Sequence, residues 1–531
     1  MNTLAGTGSL VRLALRRDRI LVPAWIVTFV GMAAFSASAT VSLYPTMASR
    51  VEAAQGVNGA PALVALYGRI YEASTGALSM MKMGGIGTAL VAVLAFVLVV
   101  RHTRADEEAG RLELVGGSVV GRGAALTAAI AVGAGTSLAI GILASLGLAG
   151  TGLPVRGSLA FGMAWAATGL AFTAVGALAA QVTTGGRTAT GVAAAFLGLA
   201  YVLRAAGDTT GTANAAGWLS WLSPIGWSQQ VRPYAHERWA VLLLLVVFAV
   251  AVGSAAYVIA SRRDLGAGLL ADRPGPSSAA LSLSSPLGLA WRLQRGVWVA
   301  WAPAYVLLGA IFGSVASNLG GLLDSPQAKD FITKLGGSQA LTDAFLAMEL
   351  GMVGVVTAVY GIQATLVLRT EEGSQRAEQL LATSTRRGSW VASHLALALA
   401  GTTGLMLVTG LVSGGAHAAQ TGDISDAFPV LAGALVQLPA IWVVIGIAVA
   451  LWGIVPRFAS ASWALLVAFL LLGEFGALFE LPSWVMDVSP FAHTPRIPGQ
   501  DLAVMPLVWL VAIAAALIAA GVVAFDRRDL S

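Results

Sequence analysis

The sequence has no cysteine, little charge and almost no lysine. Lack of cysteine excludes disulfides, zinc–thiolate sites and thiol catalysis. Only 11% of the 531 residues are Asp, Glu, Lys or Arg, against about a quarter in soluble domains. So few charges cannot cover a soluble protein of this size, nor do they suit a disordered or nucleic-acid-binding chain. The net charge of +5 is small and reads as membrane topology. Lysine occurs only at Lys82, Lys329 and Lys334. A phosphate-binding P-loop needs G-x-x-x-x-G before its lysine, and none of the three has it. ATP hydrolysis is therefore not expected on this chain, and neither is a cofactor. The five histidines, His102, His236, His394, His417 and His493, are scattered without metal-ligand spacing.

What the chain does have is long apolar runs, with a mean hydropathy of +0.79. Spanning a bilayer takes about 20 mostly apolar residues. The first half offers 20–43, 80–100, 123–149, 158–183, 189–206 and 238–260. The second offers 297–319, 346–368, 390–415, 428–454, 459–479 and 504–525. The expected fold is an all-α polytopic membrane protein of twelve transmembrane helices. The first run follows Arg12, Arg16, Arg17 and Arg19 and precedes Ala37-Ser38-Ala39, which resembles a signal-peptidase site. It is too long for a signal h-region of about 7–15 residues. A similar basic-then-apolar segment recurs at Arg292 to Ser317, so the first run is read as a retained span. Placing both termini inside puts 21 of the 31 Lys and Arg residues on the cytoplasmic side.

The two halves repeat. Arg104-Ala105-Asp106-Glu107 matches Arg369-Thr370-Glu371-Glu372 at an offset of 265. Arg111 and Arg376, Glu113 and Glu378, and Arg122-Gly123 and Arg387-Gly388 keep that offset. So do Arg262-Arg263-Asp264-Leu265 and Arg527-Arg528-Asp529-Leu530. Ser223-Pro224 and Ser489-Pro490, with Trp218 and Trp484, match at 266. These matches imply a parallel duplication of six spans, 1–261 and 291–531, joined by a cytoplasmic linker at 262–290.

The loops at 101–122 and 369–388 are the densest charge clusters of their halves. In each, acids come first and arginine follows, as suits a short helix with acids near its positive end. Topology needs basic residues but not Asp106, Glu107, Glu108 and Glu113, so the repeated acids suggest that something docks there.

The pattern Arg104-x-x-Glu107-Glu108-x-Gly110-x-x-Glu113-Leu114-Val115 resembles the permease subunits of ABC-2 type exporters. The duplicated twelve-span form resembles actinobacterial antibiotic and multidrug exporter permeases of the tetronasin type. The second copy departs from the pattern: its two glutamates shift by one place, and Gln375 stands where Gly110 does. The resemblance implies a separate cytoplasmic ABC ATPase, two copies of it, carrying the ATP and Mg. It would grip Arg104, Asp106, Glu107, Glu108, Gly110 and Glu113 in one loop. In the other it would grip Arg369, Glu371, Glu372, Arg376 and Glu378. An elbow helix would precede each half, at 8–19 and at Leu287–Arg295.

The expected activity is export of hydrophobic or amphipathic compounds, such as antibiotics, across the cell membrane. Met81, Met83, Met348 and Met352 are candidates for an adaptable apolar wall of the substrate path. Asp208 and Glu474, at offset 266, are candidates for its exit. Two alternatives remain: an ion-coupled transporter of the major facilitator kind, and a lipid or polyketide exporter. The facilitator loop pattern G-x-x-x-D-R-x-G-R is absent.

Overall fold

The computed structural model describes residues 3–117, 120–209, 217–264, 266–269, 277–316, 338–475 and 482–529. The described residues form helices and connecting turns, with no strand among them. A chain in lipid must satisfy its own backbone hydrogen bonds, and a helix does so within a single segment. Among the described residues eleven helices are long and apolar enough to cross a bilayer. The predicted span at 459–479 is represented by a shorter apolar helix, Ala461–Phe475; residues 476–481 lie outside the described ones.

The chain divides into two compact units, Met1–Gly275 and Pro276–Ser531. In the first, the fourth span, Val155–Val182, is the most enclosed helix. It packs on the second span (Thr88–His102), the third (Ala124–Gly150) and the sixth (Val241–Arg262). Small residues allow this approach. A Cβ on Gly141 would lie 2.4 Å from the Gly162 carbonyl oxygen, so the third and fourth spans meet backbone to backbone. In the second unit Leu438–Ile454 packs on Val504–Arg527, and Arg387–Thr421 packs on Pro286–Ala316.

Two local features differ from the expectation, the second elbow and the course of the second span. The elbow helix Thr7–Arg17 is separate from the first span, Leu21–Leu43. Pro23 has no N–H for the Arg19 carbonyl, which favours a break there. In the second unit Pro286–Ala316 runs as one helix through 287–295 and on past Pro303, so a proline alone does not set the break. The expected second elbow is thus the first turns of a span. The second span is interrupted at Gly84-Gly85: helix Thr75–Lys82 passes through a π-turn, Met83–Gly87, into Thr88–His102. The Trp165 ring N–H donates to the Met83 carbonyl at 3.2 Å. Ser223-Pro224 opens a short buried helix, Pro224–Gln230, whose first turn is capped by the Ser223 hydroxyl. At Ser489-Pro490 it is only a 3-10 turn, Pro490–His493.

Candidate coupling site

Each acidic loop folds as two short helices with a kink between them. In the first unit these are Arg104–Glu108 and Arg111–Gly116, hinged at Gly110 with φ of 70°. In the second they are Val367–Gly373 and Arg376–Leu381, hinged at Gln375 with φ of 58°. Glutamine therefore adopts the left-handed conformation that glycine supplies in the first copy.

Most of the acids point inward. Asp106 is buried and accepts from Arg17 of the elbow helix at 2.7 Å and from Arg111 at 2.7 Å. The Glu107 carboxylate takes both terminal nitrogens of Arg263 at 2.9 Å each. It also accepts the Gly266 N–H at 2.6 Å and lies 3.1 Å from Arg104. Arg104 is fully buried and donates to the carbonyls of Ala180 and Ala267. The exposed Glu108 accepts the Gly186 N–H at 2.9 Å, at the start of the fifth span, Gly186–Thr209. Among the expected residues of this loop only Glu108 and Glu113 are exposed. The elbow is held a second time, by buried Asp18 on His102 at 2.6 Å and Arg101 at 3.1 Å.

The second unit repeats the geometry. Glu372 takes two nitrogens of Arg528 at 2.5 and 2.7 Å and the Trp452 ring N–H at 2.9 Å. Glu371 lies 3.4 Å from Arg376. Arg122 donates to the Arg263 carbonyl at 2.6 Å, and Arg387 to that of Arg528 at 2.8 Å. The arginine pairs keep the offset of 265; the Trp452 contact has no counterpart in the first unit. Two parallel N–H···O bonds between guanidinium and carboxylate fix orientation as well as position. The brace is looser in the second unit, where Arg369 reaches only the Ser460 hydroxyl. Glu378 is exposed.

Arg263 and Arg528 were not among the expected site residues. The signal was present: the acidic loop and the basic end of the last span repeat at one offset, so a contact between them would repeat too.

The candidate path residues do not gather in one place within either unit. Met83 is buried beside Trp165, while Met81 lines a small cavity in the first unit. Met348 and Met352 lie on an exposed face of helix Ser338–Thr365. The Glu474 side chain lies outside the described residues. Asp208 is buried; it sits 3.8 Å from the fully buried Arg204, one turn earlier. Arg204 stacks on Tyr201 at 4.3 Å and donates to the Val64 carbonyl. A lone arginine in an apolar run, one turn before an acid, was the missed signal. Nearby, burial pushes the Tyr234 hydroxyl up to about 12, so it stays protonated while bonded to Ser158 at 2.9 Å.

A family described as "Multidrug efflux system permease Rv1217c, C-terminal domain" matches residues 283–526. The multidrug efflux system permease protein Rv1217c of Mycobacterium tuberculosis is 45% identical over 528 residues, covering 99% of this chain and 95% of that protein. With its multi-pass helical fold, the chain belongs to this family of ABC-2 type multidrug efflux permeases.

Proposed function

We propose that the chain is the membrane permease of an ATP-driven exporter that moves hydrophobic or amphipathic compounds, antibiotics and drugs among them, out of the cell. The energy comes from a separate ABC ATPase, two copies of it, with ATP and Mg held there. Both termini and both acidic loops face the cytoplasm in this reading. One observation carries the mechanism: the same carboxylate–guanidinium brace ties each loop to the end of its unit's last span, Glu107 to Arg263 and Glu372 to Arg528.

The braces divide the labour among the acids. Asp106, Glu107, Glu371 and Glu372 make the loop rigid with its spans. Glu108, Glu113 and Glu378 are left to meet the partner. A push on the loop then moves the elbow helix and the last span with it, instead of being absorbed by a flexible loop. Two backbone-close glycine contacts, Gly141 with Gly162 and Gly453 with Gly521, leave smooth surfaces along which helices slide.

The test is co-purification. A nucleotide-binding subunit should come down with the chain, and its ATP hydrolysis should rise with added drug. Active efflux by the purified chain alone in vesicles, with no ATPase, would sink the reading.

A further inference from the structure

At the end of the first unit remote from the acidic loop lies a cavity of about 60 Å³. A water needs roughly 10–15 Å³ by this measure, so the space suits a carboxylate or phosphate group and excludes a whole drug. Arg69, Tyr71, Gln229 and Arg232 supply its polar wall, and Met81 and Trp165 part of its apolar one.

The charge here is unbalanced. The acids nearby are engaged elsewhere: Asp208 with Arg204, Glu237 with Arg156 at 3.0 Å, and Glu72 facing His236. Arg69 donates through Nε to the Asp208 backbone carbonyl at 2.7 Å, not to a carboxylate. Arg232 lies 4.0 Å over the Tyr71 ring, and one of its nitrogens donates to Gln230 at 3.3 Å. Its buried Nε–H has no acceptor among the described residues. Two guanidinium groups thus face a small cavity with no carboxylate in salt-bridge contact among the described residues, the Asp208 carboxylate acting on Arg69 only at longer range.

The loop that presents Arg232 is also built at a cost. Arg232, Tyr234 and His236 all have positive φ, 53°, 62° and 55°, a region that side-chain-bearing residues avoid. Tyr234 holds the loop there. Its ring fills the space over Gly76 and Gly157, and its carbonyl accepts from Ser74. At offset 266 the second half has Pro498 in place of Arg232, so the feature belongs to the first unit.

We propose that this cavity binds the anionic head of an amphiphile, with the apolar tail left outside it. The two guanidinium groups take the acid, and Met81 covers the first carbons of the tail. Its use as a cargo station rests on the export reading, but binding itself needs neither the ATPase nor transport, so the two fail separately.

The probe is radiolabelled palmitate against its uncharged methyl ester, on the purified full chain in phosphatidylcholine nanodiscs. Palmitate should bind about tenfold tighter, one decade being a modest free-energy difference. Arg69→Gln with Arg232→Gln should erase that preference, and Arg69→Lys with Arg232→Lys should keep part of it, which separates loss of charge from loss of fold. Equal binding of acid and ester by the native chain would overturn the proposal, as would an undiminished preference in the double glutamine variant. Adding phosphatidylglycerol distinguishes the source of the head group. Displacement of palmitate assigns the site to a bilayer lipid, and no displacement assigns it to a carboxylate compound.

Discussion

Glu107 has three positively polarised neighbours and is nearly enclosed, with 6% of its side chain exposed. Removing its charge strands Arg104 and Arg263 in a protein interior that solvates them poorly. Breaking a buried pair from one side costs about 3 kcal/mol. Glu107→Gln is therefore expected to lower the unfolding midpoint of the purified protein. Adding a neutral residue at Arg263 should restore part of the loss, a coupling that a double-mutant cycle measures. Gln375 works the other way. It holds φ of 58° with an ordinary side chain, and a left-handed backbone costs a non-glycine residue about 1 kcal/mol or more. Gln375→Gly is expected to stabilise the second unit, read as a higher melting temperature in detergent; a lower one would contradict the hinge assigned here.

At the scale of helices, tight contacts decide what can vary. A Cβ at Gly162 would meet the Ser145 hydroxyl at 2.0 Å and the Gly141 carbonyl at 2.1 Å. The third and fourth spans would have to part, and overpacking of this kind costs about 1–3 kcal/mol. Gly162→Ala should reduce thermal stability by that order, whereas Gly135→Ala on the same pair of helices, where nothing lies within 4 Å, should not. The spans themselves were legible in the sequence because lipid enforces their length and composition. The elbow break, the π-turn and the inward direction of the acids were not. Whether Arg295 opens a new helix or continues one is not set by hydropathy, and Pro303 inside the same helix shows that a proline alone does not set it either. Whether Glu107 faces a partner or Arg263 depends on a contact 156 residues away, which no local pattern encodes. Asp208 illustrates the same limit: that it is buried beside Arg204 follows from packing and not from its place at a span end.

For the molecule as a whole, the division between bracing and docking acids yields separable phenotypes. Glu108→Arg with Glu113→Arg should weaken retention of the ATPase while leaving the permease folded, measured by pull-down and melting temperature. Charge reversal at Glu107 and Glu108 together should let ATP be hydrolysed without export, seen as lost drug tolerance in cells with ATPase activity retained. Normal efflux by that variant would count heavily against the mechanism. Loss in both assays would instead place Glu107 in the fold rather than in transmission.

The distance along the chain between Glu107 and Arg263 also bears on biosynthesis. While a nascent chain emerges, the first acidic loop is finished long before its arginine exists. Four more spans must thread into the bilayer before the pair can close. Until then the Glu107 carboxylate has only Arg104, three residues earlier in the same loop, as its partner. A half-inserted unit would thus present a floppy loop to any waiting motor, and only a fully threaded one a stiff loop. The pair acts as a built-in checkpoint on assembly order, and the second unit carries its own.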